Sequence, residues 1–437
     1  MMSQQAPTGS PWQYWLVGCP GLKNWVTLPK MPVRAEAVFN DLLYAIGDDT
    51  LYKVASDGTM TPYSAVTVPD GPIYMAPGNG YLVFTAGGNG YWFDGTTLGK
   101  IIPDGMPLVS SVDYIDGYWI FTQQDSGRFF ITAINDPRSV NALDFANAES
   151  RPDNTIRVLV THREVWLYGT DSTEVWTDTG NADFPFERYS PAAIDRGILA
   201  AGSAANLDNT SFWIGNDGIV YRAEGYTPTA ISTPEVAKAI SDSTAPADIV
   251  GFTWTQEQHV FYALRIPGVG AWVYDAATQQ WHERETFGRD MWRANCYAHA
   301  YGKHIVGDDT TGDLYEFDYD TLTDGDAIMA SDIYSPPIWA EDQRFQTHRL
   351  QADYEVGVGL TLGQGSDPQV MLQWSDDGGF TWSNEHWRTL GPIGARRQRV
   401  QWYRLGQSRE RVYRMRITDA VKRAFLSWTA DLEGAST

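Results

Sequence analysis

One phrase recurs along most of the chain: four to six apolar or aromatic residues, a polar turn, then a second strand carrying an aromatic. It occurs at Leu42–Val54 (LLYAIGDDTLYKV), Tyr81–Phe93 (YLVFTAGGNGYWF), Tyr118–Thr132 (YWIFTQQDSGRFFIT) and Glu164–Trp176 (EVWLYGTDSTEVW). It returns at Thr210–Tyr221 (TSFWIGNDGIVY), His259–Tyr274 (HVFYALRIPGVGAWVY) and Lys303–Phe317 (KHIVGDDTTGDLYEF). Successive starts lie 37 to 49 residues apart. A four-stranded propeller blade takes roughly 40–50 residues. The period therefore predicts an all-β fold with a β-propeller of about seven blades over residues 35–335. A lone hairpin is marginal in water. Blades stacked radially cover one another's faces and leave few long edges. The turns agree, because Gly-Asp-Asp (47–49), Gly-Gly-Asn-Gly (87–90) and Asn-Asp-Gly (216–218) suit positive φ. A string of β-sandwiches is the competing arrangement.

With 437 residues the chain exceeds one ordinary core. Its 18 Trp and 23 Tyr, scattered among Gly and Pro, favour many short strands. Cys19 and Cys296 are too far apart in sequence to suggest a disulfide framework or zinc spacing, and two buried thiols are expected. No apolar run of transmembrane length occurs, so stable membrane insertion is not expected. The N-terminus has neither the basic start nor the apolar stretch of a secretory signal. Net charge is −22 and unevenly placed. Residues 1–340 carry 19 Lys and Arg against 42 Asp and Glu, whereas residues 341–437 carry 13 against 12. An acidic body does not grip DNA, because grip comes from neutralising phosphates with Lys and Arg.

Two stretches interrupt the period. Asp136–Asn154 is polar and reads as a rim loop. Ser232–Ile240 (STPEVAKAI) reads as a short helix capped by Ser232 or Thr233, with Pro234 in its first turn. From about residue 341 the hairpin phrase stops and arginine replaces aspartate. Strands such as Val400–Leu405 and Val412–Ile417 predict a C-terminal β-sandwich. The expected division is an N-terminal arm over 1–34, the propeller over 35–335 and the sandwich over 336–437.

The stretch Ser375–Trp382 has the spacing S-x-D-x-G-x-T-W and resembles the Asp-box hairpin of sialidases and other sugar-acting propellers. It occurs once, outside the seven hairpins. Ser375, Asp377, Gly379 and Trp382 are expected to build a structural turn, with Asp accepting backbone N–H bonds and Gly at positive φ. A carbohydrate-active or receptor-binding propeller is the alternative that this match raises. No G-x-S-x-G elbow, Walker A loop or H-E-x-x-H is present, so no enzyme, cofactor or metal site is expected. The Asp-rich stretch Asp318–Asp326 lacks the EF-hand register. A basic cluster stands out: Arg396, Arg397, Arg399, Arg404, Arg409, Arg411, Arg414 and Arg416, interleaved with Trp402, Tyr403 and Tyr413. Arg beside aromatics is enriched at protein interfaces and also on nucleic acid. Arg396, Arg397, Arg399, Arg409, Arg411, Arg414 and Arg416 are therefore candidate partner or DNA contacts, with a plain solvated face as the alternative.

Several phrases in order carry a wider resemblance. DPRSVNALDFANAESRPD (136–153) followed by EVWLYGTDSTEVWTDTGNADFPFER (164–188), then WIGNDG (213–218) with GYTPTAISTPEVAKAI (225–240), resembles the packaged-DNA stabilisation protein of short-tailed bacteriophages, also called the tail hub or nozzle. GSDPQVMLQWSDDGGFTWSNE (365–385) and RVQWYRLGQSRERVYRMRITD (399–419) are similar to the same family's ending, and PGL (20–22) to its beginning. The resemblance implies a non-catalytic virion tail protein made in the bacterial host cytoplasm. It implies a homo-hexameric ring below the portal and its adaptor that conducts double-stranded DNA at ejection. It also implies tail fibres or spikes, and a needle or plug, as partners.

Overall fold

The computed structural model describes residues 1–5, 14–102, 106–148, 151–181, 183–207, 209–341 and 343–434. Residues 6–13 of the expected N-terminal arm lie outside this set. The chain divides into two compact units, residues 24–317 and residues 1–23 with 318–437. The expected boundaries were 34 and 335.

The larger unit is a seven-bladed propeller of four-stranded antiparallel sheets. Blade 1 is Val33–Phe39, Leu42–Gly47, Thr50–Val54 and Met60–Tyr63. Blade 2 is Tyr74–Gly78, Tyr81–Ala86, Asn89–Phe93 and Leu98–Lys100. Blade 3 spans Val109–Ile115 to Asp136–Asn147, blade 4 Thr155–Thr161 to Phe186–Ile194, and blade 5 Ala205–Leu207 to Thr227–Ala230. Blade 6 spans Val250–Gln256 to Gln280–Arg284, and blade 7 has Ala294–Ala300, Lys303–Asp308 and Asp313–Asp318. The fourth strand of blade 7 is Gly21–Thr27, whose Asn24–Thr27 half belongs to this unit. The ring thus closes by joining early and late chain in one sheet, and the Leu28 amide donates to the Gly312 carbonyl at 2.7 Å.

The seven recurring phrases are the two middle strands of each blade. Those strands are covered on both faces, so Leu42–Gly47, Tyr81–Ala86, Glu164–Gly169 and Thr210–Ile214 are almost wholly buried. That is why they read as near-continuous apolar runs. Outer strands such as Met60–Tyr63 and Thr227–Ala230 have no fully buried residue. Asp136–Asn147, expected as a loop, is the outer strand of blade 3, with two register shifts against Arg128–Ala133. An outer strand tolerates a polar sequence because only its inner edge must pair.

Apolar clusters sit between blades rather than within them. Phe39, Tyr44 and Ile46 of blade 1 pack against Leu82, Phe84 and Phe93 of blade 2. Leu43, Ala45 and Val54 pack on Ala298, Ile305 and Leu314 across the closure. Each such interface exists only once its neighbour has formed, so stability is shared around the ring. First-to-second-strand turns repeat a left-handed pair: Asn40 and Asp41 (φ 49° and 61°), His162 and Arg163 (54° and 61°), Glu257 and Gln258 (50° and 67°). Such turns match the twist of the strands they join. Arg, Glu and Gln are poor αL formers, so the strands impose this conformation at Arg163, Glu257 and Gln258 at about 1–2 kcal/mol per residue. The helix expected near residue 232 is Pro234–Ser241, with Thr233 at the N-cap position. The Ser232 hydroxyl accepts instead from the Val220 amide at 3.1 Å.

The second unit is a β-sandwich. One sheet orders Met2–Gln5, Tyr14–Val17, Ala424–Gly434, Phe345–Tyr354 and Val400–Tyr403. The other orders Ser331–Tyr334, Glu410–Ile417, Gln369–Ser375 and His386–Thr389. Leu350, Trp402, Leu372, Tyr413 and Met415 fill the space between. The N-terminal residues expected as an arm therefore supply two strands to this sheet, and Met2 is buried.

Candidate functional site

The propeller's axis is lined by first strands, and most of these are irregular where they enter their blades. Register shifts fall between Val33 and Ala35, Val109 and Ser111, Thr155 and Arg157, and Ala294 and Cys296. A bulge re-aims the side chain that follows it. Beside these bulges lies a cavity of about 520 Å³ whose lining includes Arg34, Glu36, Tyr74, Arg157, Asp248 and Cys296. A second, of about 450 Å³, shares Pro72 and Tyr74 with it and is lined by Thr85, Ser110, Gln124 and Asn154.

The axial groups differ in how they are held. Arg34 is held by carbonyls, donating to Asp48 and Pro69 at 2.7 Å and to Gly71 at 2.8 Å. Glu36 accepts from the Cys296 thiol at 3.4 Å through Oε1, while its Oε2 is buried with no partner. Burial pushes the Glu36 carboxyl up to about 8, so it is largely protonated at neutral pH. Burial likewise raises the Cys296 thiol, and both cysteines are half-buried and free. Arg157 stacks on the Tyr74 ring at 3.9 Å. Its Nε and Nη1 are buried without a hydrogen-bond partner, and burial lowers its pKa.

Neighbouring first strands are tied by side chains. The Val158 amide donates to Ser111 Oγ at 2.8 Å and the Val160 amide to Asp113 Oδ2 at 2.6 Å. Asn295 Nδ2 donates to the Val33 carbonyl at 3.0 Å. Burial raises the Asp113 pKa even though the Val160 amide, the nearby Arg157 charge and the Tyr114 amide favour its charged form. Sequence reasoning passed over Glu36, Tyr74 and Arg157. For Glu36 and Arg157 the local signal is charge inside VRAEAVF and TIRVLVT, within otherwise apolar alternation; Tyr74 has none.

In the sandwich the arginine cluster splits. Arg396, Arg397, Arg399, Arg404 and Arg409 are exposed. Arg414 and Arg416 share one face of Glu410–Ile417, as alternation predicts, yet both are engaged. Arg416 makes a bidentate pair with Asp332 at 2.7 and 2.5 Å. Arg414 bonds Gln373 and lies 4.7 Å over the Trp382 ring. Arg411 faces the core, 2% exposed, and pairs with Asp376 at 2.6 and 2.8 Å. These three have intramolecular roles that the sequence does not reveal.

The Asp-box stretch lies at the end of strand Gln369–Ser375. Asp377 accepts from the Thr381 amide at 2.9 Å, and the Gly379 amide donates to Ser375 Oγ at 2.8 Å. Gly379 has φ 101°, and the Trp382 ring sits 5.9 Å from Tyr334. The bonds from Ser375 and Thr381 hold the Asp377 carboxyl down at about 2. Among the described residues no group of three or more His, Cys, Asp or Glu is placed to hold a metal ion.

Two family models match the chain in order. One, described as bacteriophage P22 Gp10, beta-propeller, matches residues 1–322. The other, bacteriophage P22 Gp10, beta-sandwich, matches residues 331–433. No curated protein matches the sequence. Among solved structures, PorZ of the Porphyromonas gingivalis type-IX secretion system is 10% identical, with TM-score 0.42, over 84% of this chain and 46% of that one. The extracellular domain of BT4673 from B. thetaiotaomicron is 8% identical, with TM-score 0.46, over 90% and 57%. The Neurospora crassa Pan2 WD40 domain is 8% identical, with TM-score 0.43, over 69% and 96%. The chain spans about half the length of the first two.

Proposed function

The chain belongs to the bacteriophage P22 Gp10 family of phage structural proteins, and from that premise we propose that it is a ring-forming hub of the tail. The observation that carries this reading is the pair of family matches, which run in order over the propeller and then the sandwich. In this reading six copies close a ring under the portal and its adaptor. The ring retains packaged DNA, conducts it at ejection, and anchors fibres or spikes and a needle or plug.

The physical chemistry supports such a role. A propeller whose seven blades interlock around the ring, closed by its own N-terminal strand, is a rigid block. Identical blocks joined head to tail make a closed ring when the rotation between neighbours closes. The acidic surplus of residues 1–340 suits a conduit wall, because like charge removes phosphate grip and lets DNA slide. The exposed arginines Arg396, Arg397 and Arg399 are the contacts we assign to a protein partner. Arg411, Arg414 and Arg416 are reserved for the fold. Among the described residues no helix is long and apolar enough to cross a membrane.

Imaging the whole particle at modest resolution tests the proposal. A sixfold ring of this chain's mass directly below the portal adaptor is the expected result. A single copy, a trimer, or a position away from the DNA path overturns it. A ring lumen that maps as strongly basic overturns the sliding argument alone.

A further inference from the structure

We propose that the axial cavity of the propeller is a binding site for a small free oxyanion, an inorganic phosphate or a small carboxylate, held by Arg157. The inference stands apart from the tail-hub reading and survives if that reading fails.

The first observation is the state of the guanidinium. Arg157 is the one arginine among the described residues with two buried nitrogens that lack a hydrogen-bond partner. No carboxylate lies within ion-pairing distance of it among those residues. Buried cations are ordinarily paired, because an unpaired buried charge is costly. The second observation is preorganisation. The Tyr74 ring lies 3.9 Å beneath the guanidinium, and the bulge after Thr155 sets the strand so that the side chain enters the cavity. The guanidinium, fixed in plane on the cavity wall, offers a charge and an orientation suited to a carboxylate or phosphate.

The surroundings favour an external anion over an internal partner. Asp113 is the carboxylate that most affects Arg157, but its oxygens accept from the Tyr114 and Val160 amides at 2.8 and 2.6 Å. Glu36 lines the same cavity with an unpartnered Oε2. Held protonated by burial, it adds no competing charge. A cavity of about 520 Å³ admits a small anion with attendant water. Asp248, exposed on the cavity lining, disfavours a polyanionic strand there. The occupant is therefore a free anion and not a DNA phosphate.

The test uses the full chain and three probes: inorganic phosphate, succinate and a short DNA duplex. Calorimetric titration and thermal unfolding are run on wild type, Arg157→Gln and Arg157→Lys. Saturable binding of phosphate or succinate is expected, with a rise in Tm, and affinity at least tenfold weaker in both variants. In anion-free buffer Arg157→Gln is expected to melt at or above the wild-type temperature, because it removes an unpaired buried charge. A purely structural arginine would give the reverse. Equal anion response in wild type and Arg157→Lys overturns the proposal. So does a wild type that takes up neither small anion, or one that binds only the duplex. Should Arg157→Gln fail to fold, the Lys variant and density beside the wild-type guanidinium in phosphate still decide the matter.

Discussion

Arg157 in the propeller and Arg411 in the sandwich are both arginines on strands, and they differ in what meets them. Arg411 donates to Asp376 through two nitrogens and to the Leu405 carbonyl at 2.6 Å, with the Trp374 ring 5.2 Å away. Burial alone would lower its pKa, but Asp376 and Tyr413 together outweigh it and hold the group above its ordinary value. Arg157 has an aromatic face and an open cavity instead. A saturated guanidinium is a strut: it fixes the Asp376 turn to the strand Glu410–Ile417. The Arg157 guanidinium is fixed by the Tyr74 ring and leaves room beside it for the anion proposed above. The contrast lies in the partners and the space beside each group: burial of a charge does not by itself mark a site.

The sharpest way to break this contrast is Arg411→Ala. Loss of a hydrogen-bonded buried cation is expected to destabilise the sandwich by about 3 kcal/mol, since Asp376 is half exposed and rehydrates. Urea unfolding followed by sandwich tryptophan signals measures it, and Arg411→Lys should rescue little because the fork is lost. An equally large loss in Arg157→Gln would erase the distinction.

Glu36→Gln sharpens the axial side. The folded pKa of about 8 lies above the unfolded value near 4.5, so the folded state holds a proton that the unfolded state has released. Wild-type stability therefore falls as pH rises from about 4.5 to 8. The Gln variant should lose that slope and gain up to a few kcal/mol at pH 8. Chemical denaturation at several pH values reads it directly, and an unchanged slope would place the titrating group elsewhere.

A smaller effect of opposite sign belongs to Asp377. Its folded pKa of about 2 lies below the ordinary value of 3.8, so its contribution is present above pH 4 and lost as pH falls toward 2. Asp377→Asn should flatten that acid limb and leave neutral-pH stability only slightly reduced. Smaller again, Trp382→Ala removes the surface beneath Arg414 and should cost about 0.5–1 kcal/mol beyond lost packing. Last, Arg396→Ala with Arg397→Ala and Arg399→Ala should leave the unfolding free energy within about 0.5 kcal/mol of wild type. That same triple variant is expected to impair incorporation into particles. If it assembles normally, these arginines are a plain solvated face.

Much of the fold was legible before any coordinates. The seven phrases stand in the sequence because middle strands are buried on both faces, and burial writes itself as contiguous apolar residues. The short helix was legible through Pro234, and the sandwich through the change from aspartate to alternating arginine. Asp136–Asn147 was misread as a loop because an outer strand carries no such apolar record. Tertiary structure alone decided the rest. The ring closes with Asn24–Thr27, a segment far in sequence from blade 7. Glu36 meets Cys296 across 260 residues, and Arg416 meets Asp332 across 84. Which arginine is paired and which faces a cavity depends on such juxtapositions. Local spacing holds no information about them, because the sheets that bring these residues together are assembled only when the ring and the sandwich close.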